Sequence, residues 1–307
     1  MNLTSDAVAL ALERLPGLAC RHLEPMKNHT SFKIGGRVAA MFFPKTTAEL
    51  TALVTLLKDS GAESLVIGNG TNLLVDDGDM DLVVIKTTGL AAIEQTGETV
   101  ITAACGVLLS SLAVFAEARG LSGLEFAHGI PGTLGGAVSM NAGAYGGEMK
   151  DVVTETAALS PDGAVTTVSG TAQNFSYRHS RFSDTGDVIL SSTLALRHGD
   201  AGEIRARMDE LAGKRRQSQP LTSPSAGSTF KRPQIGYAAA LIDEAGLKGY
   251  AVGGAMVSEK HAGFVVNRGG ATFEDVLAVM SHVQETVQIR FGIALEPEVK
   301  IIRQSGR

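Results

Sequence analysis

GIPGTLGGAVSMNAGAYGG, residues 129–147, carries seven glycines in nineteen positions. Glycine serves positive φ and lets the backbone come close to a ligand. A run this dense leaves a row of amide N–H donors unshielded, a concavity suited to the phosphates of a nucleotide. A flexible linker would be poor in apolar residues. Here Ile130, Leu134, Ala137, Val138, Met140 and Tyr145 are interleaved with the glycines, so the segment reads as packed and ligand-cradling.

Upstream, VIGNGTNLLV at 66–75 forms a second Gly-rich turn after a β-type run. A dinucleotide fingerprint would need a third glycine where Leu73 stands and a helix behind it. The residues that follow, LLVDDGDMDLVVI, read instead as strand, turn and strand. No G-x-x-x-x-G-K-[ST] motif occurs, so a P-loop is excluded as well. The turn is expected to bind phosphate through its own N–H groups, with Asn69, Thr71 and Asn72 beside them.

Composition bounds the rest. The chain has 307 residues, 44% of them apolar, with a mean hydropathy of +0.13 and 36 glycines. That length favours two or three domains with sizeable cores and argues against disorder. Net charge is −5 and no dense basic block occurs, which argues against a nucleic-acid partner. Cys20 and Cys105 are too few and too distant for a disulfide framework or a zinc site. They read as small buried hydrophobes in a reducing compartment. The opening MNLTSDAVALALERL is an amphipathic helix with Asp6 and Glu13 in its pattern, not a signal peptide. No apolar run reaches the ~20 residues of a membrane span. A cytoplasmic protein without membrane insertion is expected.

Several elements announce their ends. Thr46 and Glu49 form a capping box ahead of Leu50, Leu53, Val54 and Leu57, and Gly61 supplies the stop. Val107–Arg119 reads as a helix closed by Gly120, and 152–196 as strand-rich with a hairpin turn at Pro161-Asp162-Gly163. Residues 201–219 form a charged helix ending in Lys214-Arg215-Arg216 before Pro220. Those cations suit a helix C-terminus or an anionic ligand, and by sequence alone the solvated face is favoured. A last helix starts at Thr272 and Asp275, is lined by Phe273, Val276, Leu277, Met280, Val283 and Val287, and ends at Gly292. Boundaries near 90 and 199 divide the chain into 1–90, 91–198 and 199–307.

The two Gly-rich loops together resemble the FAD-binding module of vanillyl-alcohol-oxidase-type flavoproteins. Three further segments, YRHS at 177–180, SAGSTFKRP at 225–233 and LEPEVKII at 295–302, follow in order. With the loops they are similar to the UDP-N-acetylenolpyruvoylglucosamine reductases, over about Asn28 to Ile302. The resemblance implies an α+β fold: a two-subdomain FAD module, then a C-terminal α+β substrate domain, with the flavin at their junction. It implies non-covalent FAD reduced by NADPH, and UDP-N-acetylglucosamine enolpyruvate as substrate, reduced to UDP-N-acetylmuramate for peptidoglycan. A monomer is expected. The cofactor contacts it implies are Gly68, Asn69, Gly70, Thr71, Asn72 and Leu73, with Gly129, Ile130, Pro131, Gly132, Thr133, Gly135, Gly136, Asn141 and Gly143.

The same resemblance assigns chemistry to residues. Hydride adds to the terminal carbon of the enolpyruvyl group, and charge building on the carboxylate needs a fixed cation. The family's arginine falls on Arg178, its proton-donating serine on Ser228, and its second acid on Glu298, as relay or as orienter of the enediolate. Arg215 matches an arginine near the substrate carboxylate, and the sequence leaves Arg215, Arg216 or both to meet the substrate. Lys231 and Arg232 fall near the UDP pyrophosphate, and Asn267 either contacts substrate or satisfies a turn. Taken singly, Arg178 reads as a surface cation, Ser228 as a turn hydroxyl and Glu298 as a partner of Lys300. The fifty positions from Arg178 to Ser228 leave no room for the tyrosine-bearing insertion of the family's longer branch. His29, His128 and His179 read as satisfied structural histidines, not flavin tethers, and no metal cluster is expected. An FAD-dependent oxidase of an alcohol or hydroxy acid, or an FAD electron-transfer subunit, is the alternative on this fold.

Overall fold

Two hydrophobic cores divide the chain, one in each of two units. The computed structural model describes residues 3–303. Unit 1 takes the residues up to His22, Ala39–Asn69 and Leu82–Arg215; unit 2 takes Leu23–Val38, Gly70–Asp81 and the residues from Arg216 on.

Local chemistry accounts for the helices of unit 1. Helix α1 (Leu3–Arg14) buries Ala7, Val8 and Ala11. Helix α2 (Thr47–Asp59) begins at the expected capping box: Thr46 Oγ1 accepts the Glu49 N–H at 3.1 Å, and the Glu49 carboxylate accepts the Thr46 N–H at 3.2 Å. It buries Leu50, Leu53 and Leu57, and Gly61 at φ +69° lets the chain leave. The next strand, β3 (Ser64–Ile67), pairs in parallel with β5 (Met80–Lys86) in a sheet of order β1-β2-β5-β3, where β1 is Cys20–Pro25 and β2 is Arg37–Phe42.

A second, five-stranded sheet follows the order β12 (Val165–Ser169), β11 (Val153–Leu159), β13 (Val188–Ala195), β7 (Val100–Ala104), β6 (Ile93–Gln95), antiparallel throughout. The Pro161-Asp162-Gly163 turn joins β11 to β12, with Gly163 at φ +89°. Helix α3 (Leu109–Glu117) is shorter than its apolar pattern and ends before Gly120 at φ +62°. Within the glycine-rich stretch lies a helix its composition hides, α4 (Leu134–Ser139), held by buried Leu134, Ala137 and Val138. Two small ladders complete this unit: β8 (Leu121–Ser122) with β14 (Arg197–His198), and the hairpin of β9 (Gly143–Ala144) with β10 (Gly147–Glu148). The charged helix α5 spans Ala201–Ser218.

In unit 2, strand β4 (Leu73–Val75) pairs in parallel with β18 (Lys300–Ile302), Leu73 opposite Lys300. Three short antiparallel strands, β15 (Ala251–Val252), β16 (Ala255–Val257) and β17 (Val265–Asn267), lie against helix α7 (Phe273–Phe291), which also meets α6 (Ala238–Glu244). Helix α7 starts at its own capping box, Thr272 with Asp275, and ends at Gly292 at φ +70°. Its buried stripe is Phe273, Val276, Val279, Met280, Val283 and Val287, while Leu277 lies at the margin. Each such side chain contributes about 1.5–3 kcal/mol on burial.

Candidate active site

The first Gly-rich turn begins where β3 ends. A Cβ on Gly68 would lie 2.1 Å from Thr133 Oγ1, so the two Gly-rich loops press together at a point that admits no side chain. Asn69 Nδ2 adds a bond to the Pro131 carbonyl at 2.7 Å. Gly70, at φ +66°, would set a Cβ 2.0 Å from the carbonyl of His29. Among the described residues, the successive N–H groups of Asn69, Gly70 and Thr71 have no protein acceptor. Three unspoken-for donors in a tight turn offer what an anion-binding nest requires. Asn72 and Leu73 then enter the ladder: Asn72 Nδ2 donates to the Glu298 carbonyl at 3.1 Å, its own carbonyl accepts from Lys300, and Leu73 is buried.

The second loop is fixed to its surroundings by backbone. Ile130 closes a turn on Ala127, the Gly132 carbonyl accepts from Leu109, and the Gly135 N–H donates to Cys105. A Cβ on Gly135 would meet the Cβ of Cys105 at 2.9 Å, which explains that glycine, while Gly136 and Pro131 are exposed. Cys105 is indeed a buried hydrophobe, its thiol pushed up to about 11 by burial, and half-buried Cys20 is likewise pushed up to about 11. A nest of free donors beside a Gly-to-Thr133 contact suits a dinucleotide pyrophosphate, so these loops fit FAD.

Asn141, expected among the flavin contacts, has its side-chain amide engaged by protein. It is fully buried, and its amide bonds to protein on both ends: Nδ2 donates to Glu148 at 2.8 Å and to the Ser176 carbonyl at 2.9 Å, and Oδ1 accepts the Lys150 N–H at 2.9 Å. It braces the end of the loop. Gly143 pairs with Glu148 in the hairpin, and its carbonyl accepts from Arg178 Nη2 at 3.4 Å.

Arg178 occupies a left-handed backbone position, φ +54°, on a tight turn closed by reciprocal bonds between Ser176 and His179. Backbone strain in a non-glycine residue collects at functional sites. Arg215, half-buried at the end of α5, donates to the Gly129 carbonyl and lies 5.6 Å from the Tyr145 ring. Burial lowers its pKa and Tyr145 raises it in part. Arg215 therefore packs against the second Gly-rich loop, whereas Arg216 is exposed, with its carbonyl accepting from Lys260. Tyr145 itself is exposed rather than packed.

Ser228 and Glu298 belong to unit 2 and sit on adjoining backbone. Ser228 is exposed after Gly227 at φ +79°, and its neighbour Thr229 is buried. The Thr229 carbonyl accepts the Glu298 N–H at 2.8 Å, and Lys231 donates its N–H to Glu296. The Lys231 ammonium lies 3.3 Å from the Glu296 carboxylate, and Arg232 stacks over Tyr237 at 4.2 Å. Asn267 takes the turn role: Oδ1 accepts the N–H groups of Gly269 and Ala271, and Nδ2 donates to Phe32. Of the three histidines, His29 pairs with Glu24 and His179 with Asp184, each at 2.7 Å. His128 differs from expectation, because its buried Nδ1 has no partner among the described residues. No cluster of metal-ligating side chains occurs among them either. Glu148, which sequence reading passed over, stands out only through these contacts.

Comparison with known proteins matches two family models: an FAD binding domain over residues 38–169, and the C-terminal domain of UDP-N-acetylenolpyruvoylglucosamine reductase over 219–302. A protein of that name from Caldanaerobacter subterraneus subsp. tengcongensis is 47% identical over 279 residues, covering 91% of this chain and 92% of the relative. One from Pediococcus pentosaceus is also 47% identical, covering 91% and 93%. The crystal structure of the reductase from Thermus caldophilus superposes with a TM-score of 0.79 at 34% identity, over 93% of this chain and 98% of that one.

Proposed function

This chain belongs to the UDP-N-acetylenolpyruvoylglucosamine reductase family, and from that premise we propose that it reduces UDP-N-acetylglucosamine enolpyruvate to UDP-N-acetylmuramate with FAD and NADPH, a step of peptidoglycan synthesis. The adjoining placement of Ser228 and Glu298, joined through the Thr229–Glu298 backbone bond, is the observation that carries this reading.

The nest at Asn69–Thr71 and the Gly-rich loop at 129–143 would hold the FAD pyrophosphate. FAD, when bound, supplies the hydride that adds to the terminal carbon of the enolpyruvyl group. Negative charge then spreads from the adjacent carbon into the carboxylate, where the Arg178 guanidinium meets it with a planar, two-pronged donor edge. Ser228 Oγ delivers a proton to that carbon. A hydroxyl is a weak acid, but a carbanion-like acceptor makes the transfer downhill when the hydroxyl is well placed. Glu298 either returns the proton to Ser228 or orients the enediolate. Lys231 and Arg232 serve the UDP pyrophosphate, Arg215 holds the Gly129 turn beside the substrate carboxylate, and Asn141 and Asn267 keep loops in place. We read residues 1–90 and 91–198 as the bulk of the two FAD subdomains and 199–307 as the bulk of the substrate domain, although Leu23–Val38 and Gly70–Asp81 join unit 2 and α5 as far as Arg215 joins unit 1. No helix among the described residues is long and apolar enough to cross a membrane. A cytoplasmic location and a monomeric state are part of the proposal and rest on the family assignment.

The test is a sequence of visible spectra without oxygen. Addition of NADPH bleaches the flavin band, and addition of the enolpyruvyl substrate restores it. Ser228→Ala is expected to bleach normally and to lose about 10²–10⁴-fold in the rate of recovery, the usual worth of a positioned proton donor. Recovery with oxygen alone would point to an oxidase.

A further inference from the structure

We propose that Glu148 is a positioning residue for Arg178, fixing where that guanidinium meets the substrate's carboxylate. This rests on reading Arg178 as the carboxylate's ligand, and its geometry lies wholly within unit 1.

Glu148 stands opposite Gly143 in the β9–β10 hairpin, and its side chain folds back across that glycine. A Cβ there would be 2.6 Å from Glu148 Cγ. Gly143 offers its carbonyl to Arg178 Nη2 at 3.4 Å, so guanidinium and carboxylate are gathered at one hairpin position. Asn141 ties the two together through Nδ2. One bond holds Glu148 Oε2 at 2.8 Å, and the other holds the carbonyl of Ser176, which closes the turn carrying Arg178. Lys150 completes the group, its ammonium 2.9 Å from Glu148 Oε2 and its N–H on Asn141 Oδ1.

Three non-glycine residues of this cluster are left-handed, Asn141 at φ +44°, Tyr145 at +54° and Arg178 at +54°. Tyr145 and Arg178 each cost about 1–2 kcal/mol relative to ordinary backbone, and Asn141, of a residue type that enters this region more readily, costs less. Such a concentration persists only where the surroundings over-determine it. Lys150 foremost, then the Asn141 amide and the Arg178 charge, hold the Glu148 carboxyl below the usual glutamate range, so it is ionised at neutral pH. An arginine has about 2 kcal/mol of rotamer entropy to lose when it is fixed. Ordering it before substrate arrives removes that cost from the step that uses it. Because Lys150 shares the carboxylate, Glu148 restrains the guanidinium without cancelling its charge.

A double-mutant cycle on the flavin-loaded enzyme tests this, reading the two half-reactions separately. Glu148→Gln keeps the size and an acceptor for Asn141 while removing the charge. The expected result is unchanged bleaching by NADPH and recovery by substrate slowed about tenfold, the scale of a coupled contact pair. Arg178→Met alone slows recovery more. In the Arg178→Met background, Glu148→Gln slows it no further, an outcome a merely structural glutamate would not give. Wild-type recovery in Glu148→Gln, or the same slowing in both backgrounds, overturns the proposal. Wild-type recovery in Arg178→Met overturns the reading of Arg178 itself, and the proposal with it. If Glu148→Gln does not fold, Glu148→Asp, with the charge one methylene short, runs the same cycle and is expected to slow recovery only where Arg178 is present.

Discussion

Two glycines of the flavin loops differ in what holds them. At Gly70 the obstacle is backbone: the His29 carbonyl sits 2.0 Å from a would-be Cβ, and φ is +66°. Gly146 has nearly the same handedness, φ +88°, but nothing lies within 4 Å. Gly146→Ala is therefore expected to cost only the conformational term, about 1 kcal/mol, and to retain flavin. Gly70→Ala must move the turn that presents the free N–H groups of Asn69 and Thr71. It is expected to purify with little flavin and to melt lower than Gly146→Ala. The ratio of flavin to protein absorbance and a melting curve read both. Equal flavin content in the two variants would mean that the nest does not hold the cofactor.

Helix ends show what a sequence discloses. Both capping boxes, Thr46 with Glu49 and Thr272 with Asp275, form as read, because the partners lie three residues apart and need nothing else. Thr272→Ala is expected to lower stability by about 1 kcal/mol in chemical denaturation. Asp275 also accepts the Gly254 N–H, and these backbone donors hold its pKa below the usual aspartate value. Its folded value being the lower one, its stabilisation is full above about pH 3.9 and is lost as the pH falls through the folded value. Asp275→Asn should accordingly flatten the acid limb of melting temperature against pH; an unchanged limb would remove Asp275 from that account. Other features were not legible. The short helix α4 hides among glycines, since burial of Leu134, Ala137 and Val138 outweighs the poor propensity of Gly135 and Gly136. From sequence Asn141 reads as a flavin contact and Asn267 as a substrate contact or a turn residue, and their protein partners Ser176 and Phe32 are not legible, because an amide bonds to whichever backbone the fold brings. The motif order around Arg178, Ser228 and Glu298 was readable, whereas the Glu148 brace depends on three segments meeting.

At the scale of the molecule, one pattern escaped sequence reading altogether. The run LLVDDGDMDLVVI does yield two strands, yet β4 pairs with Lys300–Ile302 in unit 2 and β5 with Ser64–Ile67 in the first sheet. Adjacent strands feed different cores, and nothing local distinguishes them from a hairpin. A fragment holding residues 216–307 therefore lacks Leu73–Val75, Phe32 and Ile34, all part of the unit 2 core or its ladder. It is expected to show no cooperative melting transition, and a cooperative one would mean that the C-terminal segment is a self-sufficient domain.

The parallel pairing of Leu73 with Lys300 also sets a timetable. On a ribosome emitting about 5–20 residues per second, Leu73–Val75 emerges well before Lys300–Ile302 and waits for that partner. Unit 1 can acquire its last segment, Leu82–Arg215, well before that. The half that carries Ser228 and Glu298 is then the last to close, so a nascent chain stalled in the region of α7 would present one finished core and an orphan strand for chaperones to guard.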